Sequence, residues 1–183
     1  MLFRTTLAAA LLLTSAAAVS QHQGATVEER LQRLEDESAI RRIIEDYTVL
    51  LTSRDFDGYA ELFAEEGTWR NGDLVKRGRA EIKEMLLTMF PDTPADFVND
   101  HNYMLVSNIR VDVHGDTASA HSRQLTIQRD KDGNPKPILS GVYEDEFVRR
   151  NGQWKFLSRN DITLIPTREQ WGKLMAEGIL SGE

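Results

Sequence analysis

Across residues 27–51 apolar side chains recur at Leu31, Leu34, Ile40, Ile43, Ile44, Tyr47, Leu50 and Leu51, with charged residues between them. Steps of three, four and seven put these positions on one helical face, so the pattern predicts one long amphipathic helix with Tyr47 on its buried side. Thr26 followed by Glu29 supplies a capping box at its start. Asp55 is placed to cap a second helix with Phe56, Tyr59, Leu62 and Phe63 inward and Gly67 at its end. Residues 68–70 and 74–76 flank Asn71-Gly72, a dipeptide suited to the positive φ of a tight hairpin turn. A third helix is predicted over residues 79–90, stopping before Pro91.

From about residue 103 the texture changes. Residues 107–113, 117–129, 138–149 and 153–164 are rich in β-branched and aromatic side chains. They are separated by turn signals at His114-Gly115-Asp116, at residues 130–137 and at Asn151-Gly152, which predicts an antiparallel meander. Residues 168–180 read as a last short helix with Trp171 and Leu174 for packing. Helices first and sheet second is an α+β order. Both apolar surfaces are buried if the sheet curls and the helices cover its concave side, a cone that leaves a pocket between sheet and long helix.

The first 20 residues stand apart: one charge, Arg4, then the apolar run from Leu7 to Leu13, then small residues. That is the order of a secretory signal peptide, with cleavage after Ala18 or Ser20 and a mature chain from about Gln21. The run falls short of the roughly 20 apolar residues of a membrane span, and no later segment approaches that length. Export to a bacterial periplasm is the expectation, with no membrane span once the signal is removed. The remainder fits one cone domain over residues 27–165 and a C-terminal helix or tail over 166–183. A formal charge of -7, without clustered Lys or Arg, argues against nucleic acid as a partner. The absence of cysteine removes disulfides, thiolate ligands and cysteine nucleophiles.

No glycine-rich phosphate loop, GxSxG elbow, HExxH or histidine pair at metal-ligand spacing occurs, so neither a metal nor a cofactor is expected. His101 and His121 are too few for the usual three or four ligands. Interior-facing polar residues remain. Tyr47 interrupts an Ile/Leu face and is either a proton donor or an edge-of-core tyrosine. His101, beside Asn99, Asp100, Asn102 and Tyr103, is the acid–base candidate that titrates near neutrality. Tyr143 and Asp145 share one face of a strand. Arg159 and Asp161 share another, where Arg159 either holds an anionic group or forms a structural pair with an aspartate.

The run RLEDESAIRRIIEDYTVLLTSRDFDGYAELFAEEGTW, the segment VSNIRVDVHGDTA and the segment GVYEDEFVRRNGQWKFLSRN together resemble the SnoaL-like branch of the nuclear transport factor 2-like superfamily, over about residues 28–165. The resemblance implies a cone of three N-terminal helices over a curved antiparallel sheet. It also implies cofactor-free eliminations of the kind run by hexachlorocyclohexane dehydrochlorinase, scytalone dehydratase and bile-acid dehydratase, generally with an Asp–His pair. On that pattern the aspartate falls on Thr52 and the histidine on Met104, neither of which takes a proton. Arg159 matches the arginine of WKFxxRN, Tyr143 the aromatic of GxY, and Asn108 the usual asparagine. Tyr47 falls where the bile-acid dehydratases carry an active-site tyrosine.

The expectation is a lyase or dehydratase for a hydrophobic, hydroxylated and aromatic small molecule. Tyr47, His101 and Arg159 are its catalytic candidates, and Tyr143, Asn108, Trp69, Met104 and Thr52 its substrate contacts. A homodimer or higher homo-oligomer through the outer sheet face is expected by the same resemblance. Thr52 and Met104 keep two alternatives open: a binding protein that has lost the chemistry, and a dimerisation module whose cone is filled with side chains.

Overall fold

The computed structural model describes residues 25–94 and 96–176. The predicted signal segment, and the predicted last helix beyond residue 176, lie outside them. Helix α1 (Val27–Ser53) begins at Thr26, whose hydroxyl accepts from the Glu29 N–H while the Glu29 carboxylate accepts from the Thr26 N–H, the predicted capping box. Ile40, Ile44 and Tyr47 are buried, whereas Leu31 and Leu34 are exposed, so the apolar stripe is covered only from its middle onward. The helix ends at Arg54 in the left-handed region (φ 64°), whose N–H caps the carbonyls of Leu50 and Leu51.

Helix α2 (Phe56–Glu61) is capped by Asp55 as expected but is only one and a half turns long. Phe63 and Gly67, read as the end of that helix, belong instead to strand β1 (Phe63–Asn71), which turns at Asn71-Gly72 into β2 (Leu74–Arg77). Spacings of three and four from Phe56 through Phe63 fit a helix as well as a short helix followed by a strand. The strand wins because β1 pairs with the last strand of the sheet, with an irregularity between Phe63 and Thr68. Helix α3 (Gly78–Met89) follows.

Strands β3 (Asn102–His114), β4 (Thr117–Arg129), β5 (Pro135–Arg150) and β6 (Gln153–Ile165) form the predicted meander, with β3 starting five residues earlier than its β-branched run suggested. The sheet order is β2-β1-β6-β5-β4-β3, antiparallel except for the β1–β6 pair. It is therefore a mixed six-stranded sheet, curved and open, with α1 lying across β3 and β6. Helix α4 (Arg168–Ala176) packs back on β6. The fold is the expected α+β cone.

Candidate active site

Inward positions decide where the packed core stops. On β4 they run Ala118, Ala120, Ser122, Gln124, Thr126 and Gln128, all buried. On β6, buried Trp154 and Phe156 give way to Arg159, Asp161 and Thr163. The apolar half is filled by a tight aromatic cluster, with ring centroids 4.6 Å apart for Phe147–Phe156 and 5.1 Å for Phe63–Phe156. Side chains such as Gln, Thr and Asp cannot fill the other half without hydrogen-bond partners. That half opens into a cavity of about 250 Å³, walled mainly by apolar groups such as Leu51, Met85, Leu86 and Met104.

One carboxyl group faces this cavity. Asp161 accepts a hydrogen bond from Gln124 Nε2 at 2.7 Å, and Gln124 Oε1 in turn accepts one from the Tyr143 hydroxyl at 2.7 Å. The chain Tyr143–Gln124–Asp161 fixes the amide orientation, since a carboxylate can only accept. Gly141 lies between the two strands involved, and the missing side chain leaves the gap that Gln124 reaches across. A Cβ there would stand 3.1 Å from Gln124 Nε2 and 2.3 Å from the Ile162 carbonyl oxygen. Burial pushes the Asp161 pKa up to about 7, against the opposing pull of the Arg159 charge and the Gln124 hydrogen bond.

Tyr47 faces the same cavity from α1. Its oxygen accepts a hydrogen bond from Trp69 Nε1 at 3.0 Å, and the hydroxyl is also hydrogen-bonded to that of Tyr59, which lines the same cavity. Burial pushes its pKa up to about 12, so it keeps that proton across the neutral range. Beneath it Arg159 is fully buried, with Nε and Nη2 donating to the two oxygens of Asp145 at 2.8 and 2.7 Å. The guanidinium carbon lies 3.9 Å from the Tyr47 ring centre and 4.0 Å from that of Tyr143. Burial works against the Arg159 charge, but the Asp145 carboxylate outweighs it, and the guanidinium pKa sits above its ordinary value. A carboxyl group that titrates near pH 7 and a phenol that keeps its proton thus line one apolar cavity, an arrangement suited to a general base and a general acid. Among the described residues, no group of three or more His, Cys, Asp or Glu is placed to hold a metal ion.

The profile of the SnoaL-like domain matches residues 32–160. This chain belongs to the SnoaL-like domain family. No curated protein sequence matches it. Among solved structures, this SnoaL-like chain is similar to an NTF2-like protein with a cystatin-like fold from Novosphingobium aromaticivorans (24% identity, TM-score 0.64, 79% of this chain and 92% of that one). It is similar to a candidate scytalone dehydratase from the same organism (29% identity, TM-score 0.61, 74% of this chain and 89% of that one). LinA gives a likeness of the same kind (22% identity, TM-score 0.61, 74% of this chain and 90% of that one).

Within the SnoaL-like cone, Tyr47, Trp69, Thr52 and Met104 line the cavity. The Thr52 hydroxyl is spent on the Thr48 carbonyl oxygen at 2.7 Å, inside its own helix. Arg159 and Tyr143 lie under the cavity floor and act on it through Tyr47 and Gln124; Arg159 pairs with Asp145, not with Asp161 as its strand face suggested. Two of the candidates do not line this cavity. His101 lines not the cavity but the outer depression beside it, its ring held by Asp100 at 3.4 Å and Arg129 at 3.2 Å, with Asn99 accepting from its N–H just before β3. Asn108 is exposed at a break in the β3–β4 register with φ 52°, which aims it away from the cavity. The residue missed was Asp161. Its signal was present in the i, i+2 spacing from Arg159, which puts it on the inner face.

Proposed function

We propose that this protein is a lyase of the dehydratase kind, acting on a hydrophobic, hydroxylated aromatic molecule in the cavity. Asp161 is the general base and Tyr47 the general acid. The observation that carries this reading is the pairing, in one mainly apolar cavity, of a carboxyl group with a pKa near 7 and a phenol that holds its proton. In the step, the Asp161 carboxylate takes a proton from a carbon next to an electron-withdrawing or phenolic system. The C–H electron pair becomes the new C=C bond, the C–O bond breaks, and Tyr47 gives its proton to the departing oxygen, which leaves as water. Asp161 then returns a proton to Tyr47. The Arg159 charge beneath the Tyr47 ring stabilises the tyrosinate formed in between. The step consumes no electron acceptor or donor. The likeness to a candidate scytalone dehydratase supports the reaction class.

The test is to incubate the protein with a panel of hydroxylated aromatic compounds and follow loss of one water by mass spectrometry. Turnover by the wild type that falls about a hundredfold or more in Asp161→Asn is the expected result; turnover unchanged in Asp161→Asn would contradict the assignment. Thr52 and Met104, both on the cavity wall, favour a second reading, a binding protein without chemistry. It predicts a ligand retained by the wild type with no product over time. Export through residues 1–20 and assembly into a homo-oligomer are part of the proposal, on the sequence pattern and the family resemblance alone.

A further inference from the structure

We infer that Arg54 forms an anion-recognition subsite at the rim of the cavity, so that the substrate is an apolar ring system bearing a carboxylate at the end remote from Asp161. The inference rests on the reading of the cavity as a substrate site. Arg54 lines both the cavity and the outer depression beside it, which share Met89, Phe90 and Asn102. It occupies a left-handed backbone position (φ 64°) at the end of α1, where glycine is the usual residue. Its guanidinium carbon lies 3.5 Å from the centre of the Phe90 ring and 5.4 Å from that of Phe97, and Nη1 donates to the Leu51 carbonyl oxygen at 3.3 Å. The head group is thereby held in place while, among the described residues, the other donors of its fork stay uncommitted.

No carboxylate neutralises it among the described residues. Buried Arg159 has Asp145, and Arg149 has Asp36 and Asp116. Two acids border the outer depression, Asp92 and Asp100, but Asp100 is engaged by Arg129 and His101, and neither forms an ion pair with Arg54. Burial lowers the Arg54 pKa to about 10, which leaves it charged at neutral pH but poorly solvated. A half-buried cation on an apolar wall gains from an anion that displaces its remaining water. Asp161 lines the same cavity and, when ionised, repels an anion, which favours a ligand bound with its carboxylate towards Arg54. Arg168 also reaches the cavity, but its guanidinium is half-exposed and lies 3.6 Å from Asp73.

The test is calorimetric titration of the full-length protein with biphenyl-4-carboxylate and its neutral amide. The wild type is expected to bind the carboxylate about tenfold or more tightly than the amide, the range of one charge-assisted contact. Arg54→Gln should abolish that preference while keeping the amide affinity, which also shows that the variant is folded. Arg54→Lys should restore part of it, and Arg168→Gln should leave it intact. Equal binding of both compounds by the wild type, or a preference that survives in Arg54→Gln or disappears in Arg168→Gln, overturns the assignment while leaving the cavity as a ligand site. Binding of neither compound removes the substrate-site reading, and this inference with it.

Discussion

In the proposed reaction Asp161 and Tyr47 divide the chemistry because burial moves both pKa values up from different starting points. The carboxyl rises from 3.8 to about 7 and the phenol from 10.0 to about 12. Asp161→Asn keeps the shape and still accepts from Gln124, yet cannot take a proton, so turnover should fall about 10²- to 10⁴-fold, measured as kcat. Tyr47→Phe should lower kcat in the same direction with a smaller effect on ligand affinity. Because Asp161 must be ionised to act, kcat/KM should climb with pH and level off above about 7. Stability runs the other way. Between about pH 4 and 7 the folded chain holds a proton on Asp161 that the unfolded chain has lost, so this group's contribution to stability falls as pH rises through that window. The melting-temperature advantage of Asp161→Asn over wild type should therefore widen from about pH 4 to 7 and stay constant above. Asp161 was visible in the sequence as an inward residue, but its role was not. The two-residue period gives the face and not the cross-strand register, and it is the register of β5 on β6 that gives Arg159 to Asp145 and leaves Asp161 to the cavity.

At the scale of elements, the long helix and the meander were legible because their periods of 3.6 and 2 persist over many residues. The α2–β1 boundary was not, since the apolar spacing from Phe56 to Phe63 serves either structure and only pairing with β6 decides. The depth at which Arg159 is buried assigns it to the scaffold. Arg159→Ala leaves Asp145 buried and unpaired, so it should destabilise the fold by about 3–5 kcal/mol in urea unfolding, whatever it does to turnover. Helix α4 sets the upper wall of the cavity through Trp171 and Arg168. Gly72 (φ 57°) supplies the left-handed backbone of the β1–β2 turn, and the Arg168 guanidinium lies against it. Trp171→Ala should weaken ligand binding and raise KM more than it lowers kcat, a split readable in steady-state kinetics.

The molecule is a cone with its aromatic core at one end and a cavity at the other, and the gradient along β4 from alanine to Ser, Gln and Thr marks the change. Composition set the frame: without cysteine, proton chemistry has to come from oxygen and nitrogen acids and bases, and the cone supplies a carboxyl group and a phenol for it. The proposed mechanism requires that carboxyl group to titrate near neutrality, which can be read without any substrate. A ¹³C NMR titration of the side-chain carboxyl of Asp161, assigned by the signal lost in Asp161→Asn, measures it in the intact protein. The expected midpoint is about 7; a midpoint near the ordinary 3.8 of an aspartate would leave the cavity without its base and contradict the mechanism.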